Sequence, residues 1–152
     1  MYRNEPLDKY LLDAASGTPA PGGGSIAAFV GALATTMVSM SAKFTVGKEE
    51  FKQFDSQLKK ILEECEKSRE TLLSLMEEDI KVYGDVNKAL ELSKSNEAER
   101  NKRSEAIQKA TIMAMIVPLK ATMCCLYVLQ QTRALVDIVN PNLISDVGVA
   151  CY

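Results

Sequence analysis

From Phe54 to Leu90 the chain carries one long stripe: Phe54, Leu58, Ile61, Cys65, Ser68, Leu72, Leu75, Met76, Asp79, Tyr83, Val86 and Leu90. At about 100° per residue these positions fall within about ±60° of a single line on a helix, while most of the charged residues between them take the rest of the circumference. The spacing predicts one long helix, Lys48 to Lys94, which has to bury that stripe against other helices. Two members of the stripe are not apolar, Ser68 and Asp79. Asp79 lies near the middle, with Leu75 or Met76 one turn before it and Tyr83 one turn after. A carboxylate on an apolar seam is expensive to ionise, so it should find a partner or bind its proton more tightly.

The rest of the chain supplies the partners for that helix. Leu7, Tyr10, Leu11 and Ala14 give a 3-4 stripe for a first helix from about Glu5 to Ala15, with Pro6 in its first turn and Gly17 as its stop. The prolines and glycines of Ser16–Ser25 forbid regular structure. Ser25 is then the predicted N-cap of a second helix, Ile26 to Val46, in which Ala28, Ala32 and Thr36 recur beside Gly31, Thr35 and Ser39. Small side chains at that spacing let neighbouring helices approach closely. Asn96 and Glu99 form a capping box before a fourth helix, Glu97 to Val139, which Pro118 should kink or divide. Asn140-Pro141-Asn142 is a turn, and Ser145-Asp146 starts a further helix one turn before the last residue, as if the chain were truncated within it. The expectation is an all-α, up-and-down bundle of long helices in one domain, with a buried apolar helix at its centre.

Composition closes off several alternatives. The chain has 152 residues, about the size of one domain, and no histidine, so a Ser-His-Asp or Cys-His pair is unavailable. A net charge of −2 gives no reason to expect nucleic acid. Three of the four cysteines (Cys65, Cys124, Cys125, Cys151) sit among apolar neighbours, and no pair has metal-binding spacing. No signal-peptide pattern opens the sequence, and a cytoplasmic location is expected. No charge occurs from Ala14 to Ala42, but the apolar part, Ile26–Ala42, falls short of the ~20 residues of a membrane span. A buried helix is expected in place of a membrane contact.

The residues leave two readings of Asp79 open. It is neutralised by a Lys or Arg of a neighbouring helix or specifies helix register, or it is a proton-shuttling acid–base group, for which no histidine competes. Gly84, in mid-helix, suggests close approach of a ligand or another helix. Pro21-Gly22-Gly23-Gly24-Ser25 is either a flexible connector or a turn offering backbone N–H groups to an anion. It lacks the Gly-Lys-Ser/Thr ending of a P-loop. A coiled-coil interaction module without chemistry is the remaining reading of the long stripe.

The string Ser16-Gly17-Thr18-Pro19-Ala20-Pro21-Gly22-Gly23-Gly24-Ser25, followed by Ala27-Ala28 and Gly31-Ala32-Leu33, resembles the start of the cyclodeaminase/cyclohydrolase family. Glu78-Asp79 with Val82-Tyr83 resembles that family's Asp-x-x-Ala-Phe/Tyr segment, and Leu92-Ser93-Lys94 its Leu-Pro-Lys, with Ser for Pro. Val117-Pro118-Leu119, Asn140-Pro141-Asn142 and Ser145–Ala150 follow in the same order. The resemblance implies an all-helical homodimer acting on tetrahydrofolate one-carbon units, with no cofactor beyond the folate substrate. It places cyclodeaminase activity slightly ahead of methenyltetrahydrofolate cyclohydrolase. It also implies that Pro21, Gly22, Gly23, Gly24 and Ser25 border the folate and that Asp79 is the acid–base residue. The anionic glutamate tail of a folate would suit Lys43 or Lys94. In the family the chain continues beyond the segment matching Ser145–Ala150, which bears on whether these residues form an active unit.

Overall fold

The computed structural model describes residues 1–151, and every regular element in them is helical. Five α-helices follow one another: α1 (Leu7–Ala15), α2 (Gly23–Thr45), α3 (Asp55–Glu91), α4 (Glu97–Val136) and α5 (Ile144–Val149). Short 3-10 turns occupy Tyr2–Asn4, Glu49–Phe54 and Pro141–Leu143. The all-α expectation holds, and the boundaries move for identifiable reasons. Helix α3 starts at Asp55 rather than Lys48, because the Asp55 carboxylate accepts the Gly47 N–H at 2.8 Å and fixes a turn there. Gly47 itself has φ +79°, which a side-chain-bearing residue adopts at a cost. Helix α4 is capped as expected. The Asn96 side chain accepts the Glu99 N–H at 2.9 Å, and the Glu99 carboxylate reaches back to the Ser95 N–H at 3.1 Å and to the Ser93 hydroxyl. Pro118 does not divide α4, which runs through it.

The stripe on α3 is buried with one systematic shift. Leu58, Ile61, Cys65, Ser68, Leu72, Leu75, Val82 and Ala89 are buried, whereas Tyr83 and Leu90 are 43% and 48% exposed. With Met76 buried beside them, these residues step by three and four from Leu58 to Leu75 and by seven to Val82 and Ala89, a mean period of 3.5. A seam of that period drifts ~20° per heptad from a straight line on a 3.6-residue helix. By the last two heptads the drift amounts to one position, from Tyr83 and Leu90 to Val82 and Ala89.

The chain forms two compact units: Met1–Ala28 with Ser74–Ala121, and Phe29–Leu73 with the segment from Thr122 onward. The second holds a core of Val38, Leu58, Ile61, Cys65, Val128, Leu135 and Val147. Burying residues of this size is worth about 1.5–3 kcal/mol each. The small-residue stripe of α2 does what its spacing predicts in this unit. A Cβ on Gly31 would lie 2.7 Å from Cys125 Sγ and 3.3 Å from both Leu72 methyls. Thr45, fully buried, gives its hydroxyl to the Ser41 carbonyl at 2.8 Å and accepts the Asn140 N–H at 3.1 Å, tying down the chain after α4. Cys65 is the fully buried thiol although its chain neighbours are Glu64 and Glu66; Cys151, with apolar neighbours, is exposed. Burial on a helix follows residues three and four away, not adjacent ones. It pushes the Cys65 thiol up to about 11.

Apolar character and burial part company on two helices. Val30, Leu33 and Phe44 of α2 are exposed, so α2 is buried along one side only. On α4, Ile112, Met115, Leu119, Met123 and Leu126 recur three or four apart and are 48–66% exposed. Both helices are long and apolar enough to cross a membrane by length and composition alone.

Candidate active site around Asp79

The first unit contains both Asp79 and the Gly-rich turn. Helix α2 begins at Gly23, two residues ahead of the predicted N-cap, so Ser25 lies inside its first turn. The first N–H groups of a helix have no partner within it. Here the Ser25 N–H is taken by Asp79 Oδ2 of α3 at 2.9 Å, across 54 residues of sequence. The carboxylate thereby caps α2 and meets the positive end of its dipole. Ser25 keeps its hydroxyl for the Tyr10 hydroxyl of α1, at 2.8 Å, and these two residues are 0% and 2% exposed. Tyr10 was visible in the sequence only as one member of the α1 stripe. Its being the single phenol there was the available signal.

Of the three consecutive glycines, only one is required by space. A Cβ on Gly24 would lie 2.7 Å from Asp79 Cγ and closer still to Oδ1, whereas Gly23 faces open space and Gly22 meets only the Pro19 carbonyl at 3.6 Å. The Gly22 carbonyl accepts the Ile26 N–H at 3.1 Å, and Pro21 is buried behind a cis Ala20–Pro21 bond. The turn is therefore a fitted seat for a carboxylate rather than a connector. Gly84, by contrast, has nothing within 4 Å of a Cβ position, so no neighbouring helix closes on it.

Electrostatics separates Asp79 from its neighbours. Glu77 accepts the Arg3 backbone N–H at 2.9 Å, and Glu78 pairs with Lys120 at 3.8 Å. Asp79 has no cationic partner among the described residues, so the neutralising salt bridge is not what holds it. Burial pushes its carboxyl above the ordinary range, and the Ser25 N–H offsets part of that rise. Burial also raises the Tyr10 phenol, with a further contribution from the Asp79 charge. A half-buried carboxyl with a raised pKa, held by one N–H and lacking a counter-ion, is poised to exchange a proton.

The two lysines line separate cavities. Lys43, in the second unit, is exposed and lines a cavity of about 250 Å³ with Ser39, Phe44 and Arg69. Lys94, in the first, follows α3 and lines a cavity of about 280 Å³ with Arg100, Arg103 and Ile107. Arg103 is engaged on the Leu90 carbonyl at 3.1 Å, closing the end of α3. A larger cavity, about 400 Å³, begins one turn beyond Asp79: Val82, Asp85, Lys88, Ala89 and Leu92 of α3 face Ala106, Lys109, Ala110 and Met113 of α4. The sequence reading named none of these as site residues.

An all-helical fold presenting a Gly-rich turn to a buried carboxylate defines the class, and likeness to known proteins defines the family. The pattern of the formiminotransferase-cyclodeaminase family matches residues 6–152. The chain is 35% identical over 150 residues to a methenyltetrahydrofolate cyclohydrolase of Methylorubrum extorquens, covering 99% of this chain and 72% of that protein. It is 29% identical over 144 residues to the mouse formimidoyltransferase-cyclodeaminase, covering 95% of this chain and 27% of that one. The crystal structure of a formiminotetrahydrofolate cyclodeaminase from Thermotoga maritima superposes with a TM-score of 0.86 at 27% identity, over 99% of this chain and 71% of the other. This chain belongs to the formiminotransferase-cyclodeaminase family.

Proposed function

We propose that the chain hydrolyses 5,10-methenyltetrahydrofolate to 10-formyltetrahydrofolate, with Asp79 as the acid–base group. The observation that carries this reading is the seating of the Asp79 carboxylate on the Gly24–Ser25 turn, without a counter-ion and with a raised pKa. Water attacks the bridging carbon of the cationic amidine and gives a proton to the Asp79 carboxylate. The N5–carbon bond of the resulting adduct then breaks as Asp79 returns that proton to N5, and the hydroxyl proton leaves to solvent as the formyl C=O forms. One proton is released overall. Such positioned proton transfer is typically worth ~10²–10⁴ in rate. Pro21, Gly22 and Gly23 would border the pterin beside it.

The second reading, deamination of 5-formiminotetrahydrofolate, uses the same carboxyl to protonate departing ammonia as N10 closes on the formimino carbon. The likeness to the Thermotoga cyclodeaminase favours it. The sequence alone placed this reaction first; 35% identity over 150 residues to a cyclohydrolase, against 27–33% to the cyclodeaminases, favours the other order. Absorbance at the methenyl band decides between them. A protein-dependent fall with 5,10-methenyltetrahydrofolate supports the cyclohydrolase, a rise with 5-formiminotetrahydrofolate supports the cyclodeaminase, and folded protein silent with both contradicts either.

We further propose that the enzyme works as a cytoplasmic homodimer. The exposed α4 row from Ile112 to Leu126 supports self-association, and four free cysteines suit a reducing compartment. Sedimentation equilibrium tests the first point: a monomer at micromolar concentration contradicts it.

A further inference from the structure

Resting on the folate reading above, we infer that the cavity between α3 and α4 seats the aminobenzoyl-glutamate arm of the substrate, with Lys109 as the cation that meets its carboxylates. The seam of α3 supplies the direction. Val82 and Ala89 lie on the same 3.5-residue seam as Asp79, so one edge of the cavity belongs to the seam that carries the acid–base group. The N-terminus of α2 abuts that face at Asp79, and the cavity opens one turn farther along. From Asp79 to Lys88 is nine residues, a rise of about 13 Å. That is the scale of the path from the bridging carbon, across a benzoyl ring, to a glutamate side chain.

The lining matches such an arm in polarity as well as length. Val82, Ala89, Ala110 and Met113 offer apolar surface to a flat ring, and a volume of about 400 Å³ lies within the range of ligand pockets. Charge then selects the anchor. Asp85 and Lys88 hold each other at 3.0 Å and cancel. Lys109 has no partner among the described residues and leaves the lining with one uncompensated positive charge. Lys94 is six residues beyond Lys88 and opens on a different cavity.

The test is equilibrium binding by calorimetry, which needs no turnover. The ligands are 5-formyltetrahydrofolate and 5-formyltetrahydropteroate, identical except that the second lacks the glutamate. The proteins are wild type, Lys109→Gln and Ala110→Phe, each checked for helicity and melting. Lys109→Gln is expected to weaken the glutamate-bearing ligand about two- to fivefold, the size of one partly exposed charge contact, and to leave the pteroate unchanged. Ala110→Phe, which fills the cavity, is expected to weaken both. Added salt should shrink the Lys109 effect. Wild-type affinity of Lys109→Gln for the glutamate-bearing ligand, an equal loss for both ligands in Lys109→Gln, or wild-type affinity in folded Ala110→Phe overturns the inference. Binding that depends on Lys109 in a protein without turnover supports the inference while overturning the catalytic reading, and no binding by wild type overturns both.

Discussion

The Asp79 carboxylate and Gly24 share a space that only one side chain can fill: the carboxyl carbon lies 2.7 Å from where a Cβ of residue 24 would stand. Because Asp79 also takes the Ser25 N–H at 2.9 Å, this carboxylate and the start of α2 fix each other. The glycine is required by the carboxylate, not by backbone torsion; positive φ occurs only at Gly17 and Gly47 among the described residues.

That relationship separates two neighbouring glycines. Gly24→Ala should displace the Asp79 carboxylate, lower stability by about 1–3 kcal/mol as overpacking does, and remove turnover. Gly23→Ala, with open space at its Cβ position, should stay within about 1 kcal/mol of wild type in stability. Urea unfolding and the methenyl absorbance assay read both. Equal behaviour of the two variants contradicts the steric account.

The raised pKa of Asp79 fixes the sign of a pH effect. A carboxyl whose folded pKa lies above its unfolded value binds its proton more tightly when folded. Its contribution is therefore fully present below the unfolded pKa and is lost as pH rises through the folded pKa. Asp79→Asn, which cannot ionise, should melt higher than wild type at pH 7, and the gap should close toward pH 3. Melting curves across that range check it, and a gap that widens on acidification is the contrary result.

Gly31 belongs to packing rather than chemistry. Gly31→Ala should lose about 1–3 kcal/mol, since the new Cβ meets Cys125 Sγ at 2.7 Å. Adding Cys125→Ala removes that sulfur and should recover part of the loss, so the double variant should exceed the sum of the singles in stability.

Gly84→Ala should gain up to about 1 kcal/mol, the helix-propensity difference, because nothing stands within 4 Å of its Cβ. A loss of similar size, seen by urea unfolding, would show a neighbour that this packing does not contain.

The sequence disclosed the helices and Asp79 because both follow from spacing: a stripe shows as a period, and a carboxylate on it shows as an exception. It concealed the partner of Asp79, since a backbone N–H from 54 residues away has no side-chain signature. Ser25 read as a cap and turned out to be capped. Tyr83 and Leu90 were assigned to the seam by a straight-line reading, and the drift of a 3.5-residue seam moves it to Val82 and Ala89. Lys43 stands out in the sequence by charge, and Lys94 by charge and its place in Leu92-Ser93-Lys94. Lys109 lines the cavity that opens beyond Asp79, at a level along α3 that only the pairing of α3 with α4 reveals.

The most direct measurement is kcat/KM for 5,10-methenyltetrahydrofolate with wild type and Asp79→Asn, alongside the binding constant for unreactive 5-formyltetrahydrofolate. The account predicts a fall of about 10²–10⁴ in kcat/KM with binding nearly unchanged. A folded Asp79→Asn that retains turnover within about tenfold of wild type would contradict it, leaving Asp79 as the cap of α2 and nothing more.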